Sequence, residues 1–302
     1  TGRRALLAAL VGAAGIVGGV TAGAALLGAW LPPDAWKGAG ALAGTWTGGT
    51  MNLLALRSLL AMPDALFAPL IVVDAVIAYG WMALLIAGSG FQRPLNRWLR
   101  APDAMDAAER HSTAQADRAT HSRLRSLLLC GMAALALAVG SRVAAPHLPT
   151  SLLVSSATGW TVLLVTTGAL ALSLDPALRR AGAHGTVLGY PCLYLVLAAT
   201  GAQARLDTLW STPAWIVFGL VVVLVHGTLL LVAGRALRIP LGTLATASQA
   251  NIGGVVSGPL VGAIYHQSLA PVGLLLAVAG NAAGTYLGLL AATLCRLVEK
   301  IV

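Results

Sequence analysis

Residues 5–33 of this 302-residue chain carry no charged side chain, and apolar runs of similar length recur over 65–88, 124–145, 150–174, 184–201, 213–235 and 271–295. About 20 apolar residues in a helix span a hydrocarbon core of about 30 Å, so these runs select lipid as the solvent. Hydrophobic residues make up 58% of the chain, charged residues 10%, and the mean hydropathy is +0.83, which rules out a soluble domain. The expected fold is an all-α polytopic membrane protein with about seven spanning helices. Its place is the cytoplasmic (inner) membrane of the cell, crossed several times.

Two further apolar segments are interrupted. Residues 44–52 read Gly-Thr-Trp-Thr-Gly-Gly-Thr-Met-Asn and residues 248–254 read Ser-Gln-Ala-Asn-Ile-Gly-Gly, each small and polar between apolar half-helices. Inside hydrocarbon an unpaired backbone group costs several kcal/mol, so such a break persists only where protein or a wet cavity surrounds it. A pair of breaks in corresponding halves is the sequence mark of a transporter's binding site. The first half-helix is expected to run from Asp34, as its N-cap, to about Gly44, and the second from about Met51 to Met62.

Aligning Gly48-Gly49 with Gly253-Gly254 carries Asp74 onto Asn281 and Tyr79 onto Tyr286 once two residues are inserted. The chain therefore divides into a first repeat (1–88, broken segment 34–62), a linker (89–123) and a second repeat (124–302, broken segment 240–267). The linker alternates arginines such as Arg93, Arg97 and Arg100 with Asp103, Asp106 and Glu109, which places it in the cytoplasm. If the broken segments dip into the membrane and return, the repeats are inverted; if they cross, the repeats are parallel. Arg3 and Arg4 favour returning hairpins, whereas Arg296 and Lys300 favour crossing; hairpins are the reading adopted. The first repeat has fewer spans than the second, so about three helices are expected upstream of Thr1.

Half-helix ends present free N–H groups to an anion and free carbonyls to a cation. The candidate binding residues are Thr47, Gly48, Gly49, Thr50 and Asn52 at the first break, with Thr45 beside them, and Ser248, Gln249, Asn251, Gly253 and Gly254 at the second, with Ser257 beside them. Asp74 is the acidic residue deep inside a predicted span, where a carboxylate is expensive and functional by default. With Asn281 it offers oxygen ligands for a sodium ion, and alone it offers a proton acceptor; the sequence does not choose. His226, in mid-span, reads as a hydrogen-bonded scaffold residue rather than a relay. Arg57 reads equally as a partner for a substrate carboxylate and as an interfacial arginine. Trp30, Trp36, Trp98, Trp210 and Trp215 lie near span ends and read as interfacial anchors. Cys130, Cys192 and Cys295 are far apart and read as packing residues.

The two interrupted motifs, 44–52 and 247–254, resemble the paired signatures of the YjcL-like family of integral membrane proteins, a domain of unknown function numbered 819. The resemblance runs over essentially the whole chain. It departs at Val255, where members often carry proline. More distantly the arrangement is similar to sodium-coupled glutamate and 2-hydroxycarboxylate symporters. That likeness implies two re-entrant loops meeting in a mobile domain, elevator-type exchange, and often a homodimer.

The expected function is cation-coupled secondary transport of a small anionic organic solute, with sodium or proton coupling and no cofactor. The partners are that solute or ion and membrane lipid. The alternative is a transport-inactive receptor or scaffold. No His-Glu-x-x-His occurs and Ser257 has no evident base partner, so no enzyme is expected. A phosphate-binding loop is missing, which excludes ATP drive within the chain. The net charge of +9 reports orientation; spread over loops without an aromatic-studded patch, it gives no nucleic-acid partner.

Overall fold

The computed structural model describes residues 2–101, 123–149, 157–179 and 213–301, with the single positions Gly182 and Pro191. Among the described residues it is all-helical, 89% helix with no strands, as the sequence requires of a polytopic membrane protein. Helix α1 (Gly2–Leu27) is followed by α2 (Ala35–Gly48), α3 (Thr50–Leu59), α4 (Asp64–Gly88) and α5 (Gln92–Leu99). Then come α6 (Arg123–Ala144), α7 (Ala157–Leu172), α8 (Pro213–Leu237), α9 (Leu241–Ile252), α10 (Gly254–Tyr265) and α11 (Leu269–Glu299). Among the described residues five helical stretches are long and apolar enough to cross a membrane: Gly2–Trp30, Asp64–Leu99, Arg125–His147, Pro213–Leu237 and Leu269–Glu299. They match five of the spans read from the sequence. The expected span 150–174 is described in part, as α7, and the expected span 184–201 lies outside the described residues, as do Cys192 and Trp210.

The chain forms two compact units. The first gathers Thr1–Leu56, Asp64–Thr113 and Arg205–Val302 and so holds both glycine breaks; the second gathers Arg57–Pro63, the end of the first broken segment, and Ala114–Ala204. In the second unit α6 packs on α7. In the first, helices approach closely because glycine stripes face their neighbours. Helix α1 runs antiparallel to α8, and a methyl group on Gly15 or Gly19 would lie 3.0 Å from the Cα of His226 or Val222 respectively. Helix α2 runs antiparallel to α11 along a double ladder. Gly40, Gly44 and Gly48 interleave with Gly288, Gly284 and Gly280, and a methyl on Gly284 would lie 2.8 Å from Gly48 Cα. In lipid, where burial against a neighbour gains little hydrophobic free energy, such backbone approach is what holds helices together.

Both broken segments double back on themselves. In α9 and α10, Gly242 faces Tyr265, Thr246 faces Gly262 and Ala250 faces Gly258. In α2 and α3, the Leu56 side chain occupies the space above Gly44. The breaks are shorter than the sequence suggests. Helix α2 continues through Thr45, Trp46 and Thr47 to Gly48, and α9 through Ser248 and Asn251 to Ile252, so only Gly49 and Gly253 stand between half-helices. Hydroxyl and glycine residues weaken a helix in isolation, but the ladder with α11 seats residues 44–48 firmly enough to keep them helical.

Asp34 precedes α2 in a left-handed conformation, φ 62°, and makes no capping bond. Its carboxylate instead accepts hydrogen bonds from Lys37 Nζ at 3.0 Å and Trp36 Nε1 at 3.2 Å. The bond and charge of Lys37 hold it below the usual carboxylate range. Trp36 and Trp215 are buried rather than interfacial, whereas Trp30 is 73% exposed. Trp36 lies under the Arg296 guanidinium, 5.0 Å from the ring centre, and Trp215 packs edge-on against Phe218. The linker opens as helix: α5 turns Asn96 inward, where Oδ1 accepts from Leu241 N at 2.8 Å and caps α9 from outside its own segment.

Gly284→Val should lower stability by about 1–3 kcal/mol through overpacking against Gly48. Gly18→Ala, with open space around it, should stay within about 1 kcal/mol of the parent. Melting curves in detergent compare the two, and equal melting temperatures would contradict the ladder.

Candidate functional site at the meeting of two helix breaks

The two breaks abut. Gly49, with φ 85°, and Gly254, with φ 71°, both take backbone conformations that side chains rarely adopt. A methyl on Gly254 would lie 3.7 Å from Gly49 Cα, and one on Gly49 would lie 3.1 Å from Asn281 Oδ1. The first turns of α3 and α10 start beside this contact, so two sets of unpaired N–H groups and their partial positive charge serve one locus. Asn281, brought there by α11, adds an amide.

The polar side chains around the breaks fall into three clasps. At the first, Asn52 Nδ2 donates to Gly48 O at 2.7 Å while Thr285 Oγ1 donates to Asn52 Oδ1 at 2.6 Å, tying α3 to α2 and α11. At the second, Ser248 joins two other helices: Trp81 Nε1 donates to its Oγ at 2.8 Å, and His226 Nε2 lies 2.8 Å from the same atom. His226 Nδ1 faces Gly12 O at 2.8 Å, a pure acceptor. Nδ1 therefore carries the proton, and in the neutral ring Nε2 accepts from the Ser248 hydroxyl. Asn251 Nδ2 adds a bond to Ala9 O at 3.0 Å. Within the second hairpin, Gln249 Nε2 donates to Ser257 Oγ at 3.0 Å, both packed over Gly253.

Other expected residues stand apart. Thr47 Oγ1 turns back to Ala43 O at 2.8 Å, and Thr50 is half-buried in the first turn of α3. Asp74, in α4, accepts from Trp46 Nε1 at 2.9 Å. Among the described residues it has no Lys or Arg partner and no hydrogen bond to Asn281. Sequence reading missed the donors Trp46, Trp81 and Thr285 and the glycine ladder. The four-residue spacing of Gly40, Gly44 and Gly48, repeated in Gly280, Gly284 and Gly288, was the signal that could have found the ladder. An apolar groove of about 510 Å³ between Leu27, Trp30, Pro32, Pro213 and Val217 has no polar side chain to orient a ligand.

Ser248→Ala leaves the Trp81 indole and the His226 imidazole without their shared partner, which should lower stability by about 1–3 kcal/mol. Combined with His226→Leu, the losses should fall short of additivity by about 0.5 kcal/mol or more, read from denaturation of the single and double variants. Strict additivity would dissolve the clasp.

Neither the curated proteins nor the solved structures contain a significant match to this sequence. Residues 1–298 match the family described as "Protein of unknown function (DUF819)". Nearly the whole chain falls within that match, both breaks and the five apolar spans included except for Glu299 at the end of the last, and the chain belongs to the DUF819 family.

Proposed function

We propose that this protein is a cation-coupled secondary transporter of elevator type, moving a small anionic organic solute across the cytoplasmic membrane. The observation that carries the reading is the contact between Gly49 and Gly254, which places two helix N-termini and the Asn281 amide at one locus. Converging N–H groups suit an anionic group and the Asn281 amide oxygen suits a cation, while the Asp74 carboxylate stands apart, held by Trp46, as the coupling group. Hairpins α2–α3 and α9–α10 are read as re-entrant. The helices that precede them, α1 and α8, run antiparallel, as inverted copies would. Both breaks, with hairpin α9–α10 entire and hairpin α2–α3 as far as Leu56, belong to one compact unit, which suits a moving body that carries its site with it.

Asp74 supplies the test. An unpaired carboxylate in a span costs about 3 kcal/mol or more, and among the described residues its one donor is an indole N–H. Asp74→Asn should abolish coupled uptake in proteoliposomes while melting in ion-free buffer stays equal or rises. In a transport-inactive scaffold, a reading that the Trp46 bond favours, the same substitution should lower stability in every buffer. Uptake unchanged by the substitution would remove Asp74 from the mechanism.

A further inference from the structure

Gln249 is 1% exposed, and its Oε1 is covered and accepts no hydrogen bond among the described residues. The polar side chains around it are turned to other partners. Nε2 is spent on Ser257, the Ser248 hydroxyl faces His226, Thr246 Oγ1 is bound to Gly242 O at 2.6 Å, and Asn251 Nδ2 is bound to Ala9 O. A buried acceptor left empty is costly in a low-dielectric interior, and native proteins rarely keep one without use. This one stands beside Gly253, one residue from the contact between the breaks and at the start of the twelve-residue α10.

Resting on the reading of the breaks as a solute site, we propose that Gln249 Oε1 is a specificity contact. It accepts an N–H or O–H from the solute while the helix N-termini of α3 and α10 hold the carboxylate. A bare carboxylate has nothing to give this oxygen. The substrate class is therefore a small carboxylic acid carrying an amine or hydroxyl close to its anionic end. Such a site rejects the analogue that lacks the donor, because binding it would leave Oε1 empty.

Two matched triplets test this: propionate, lactate and alanine, and succinate, malate and aspartate. Thermal shift and titration are run on the full chain, with and without sodium chloride. In the parent protein the hydroxy or amino member of a triplet should bind on the order of tenfold or more tighter than the unsubstituted acid, the factor expected for one hydrogen bond to a buried acceptor. In Gln249→Met, which keeps the bulk and removes the acceptor, that preference should vanish, and the variant should melt no lower than the parent without ligand. Equal binding of all members by the parent overturns the assignment while leaving the site reading intact, and it does so even if the variant fails to fold. A preference that survives in Gln249→Met also overturns it. So does stabilisation by sodium chloride alone that the variant loses, which would give Oε1 to a cation. Absence of binding by every acid would remove both the assignment and the site reading.

Discussion

A helix that stops inside an apolar interior leaves amides and carbonyls that its surroundings cannot satisfy, and the packing around residues 49 and 253 answers that requirement. Each half-helix is backed by a partner, each turn is a single glycine, and the turns are set against each other at Gly49 and Gly254. Side chains from α11 and α5 close what remains: Thr285 fastens Asn52, and Asn96 caps α9. The large apolar side chains of α10 and α11, such as Leu260, Leu275 and Val278, point outward. Polar groups cluster on the inner side of the hairpins, within an interior that is otherwise apolar.

The buried clasps divide by chemistry. Asn52, Ser248 and Asn251 are hydrogen-bonded to other helices, and their work is to hold the hairpins in place. Gln249 and Asp74 are different, the first with an empty acceptor and the second with a single neutral donor. A polar network with every member satisfied is scaffold; the members left short are where a ligand has something to complete.

Much of this was legible in the sequence, and the reasons are physical. Apolar runs declare a membrane protein because lipid admits few alternatives, and Gly48-Gly49 and Gly253-Gly254 stand out as glycine pairs set among polar residues between apolar half-helices. Break lengths were overestimated because Thr45 to Thr47 are poor helix formers by themselves, and their helicity is lent by α11, more than 230 residues away in sequence. Trp36 and Trp215 looked like anchors by position. Only the fold tells that Arg296 and Phe218 cover them. The indole donors Trp46 and Trp81 were invisible for the same reason: a tryptophan's ring is read by hydrophobicity, whereas its N–H matters only once an acceptor is placed opposite.

The seam between α2 and α11 is largely backbone laid on backbone, with Asn52 and Leu56 of α3 packed against its glycines. Such a joint is stiff in shear and behaves as a rigid strut. One end of the strut is the Trp36–Arg296 stack beside Asp34 and Lys37, and the other is Gly48, twelve residues or about 18 Å further on. The turn at Gly49 is therefore held in register with the Trp36–Arg296 stack by close backbone contact along α2 and α11, without any chain of polar contacts between them.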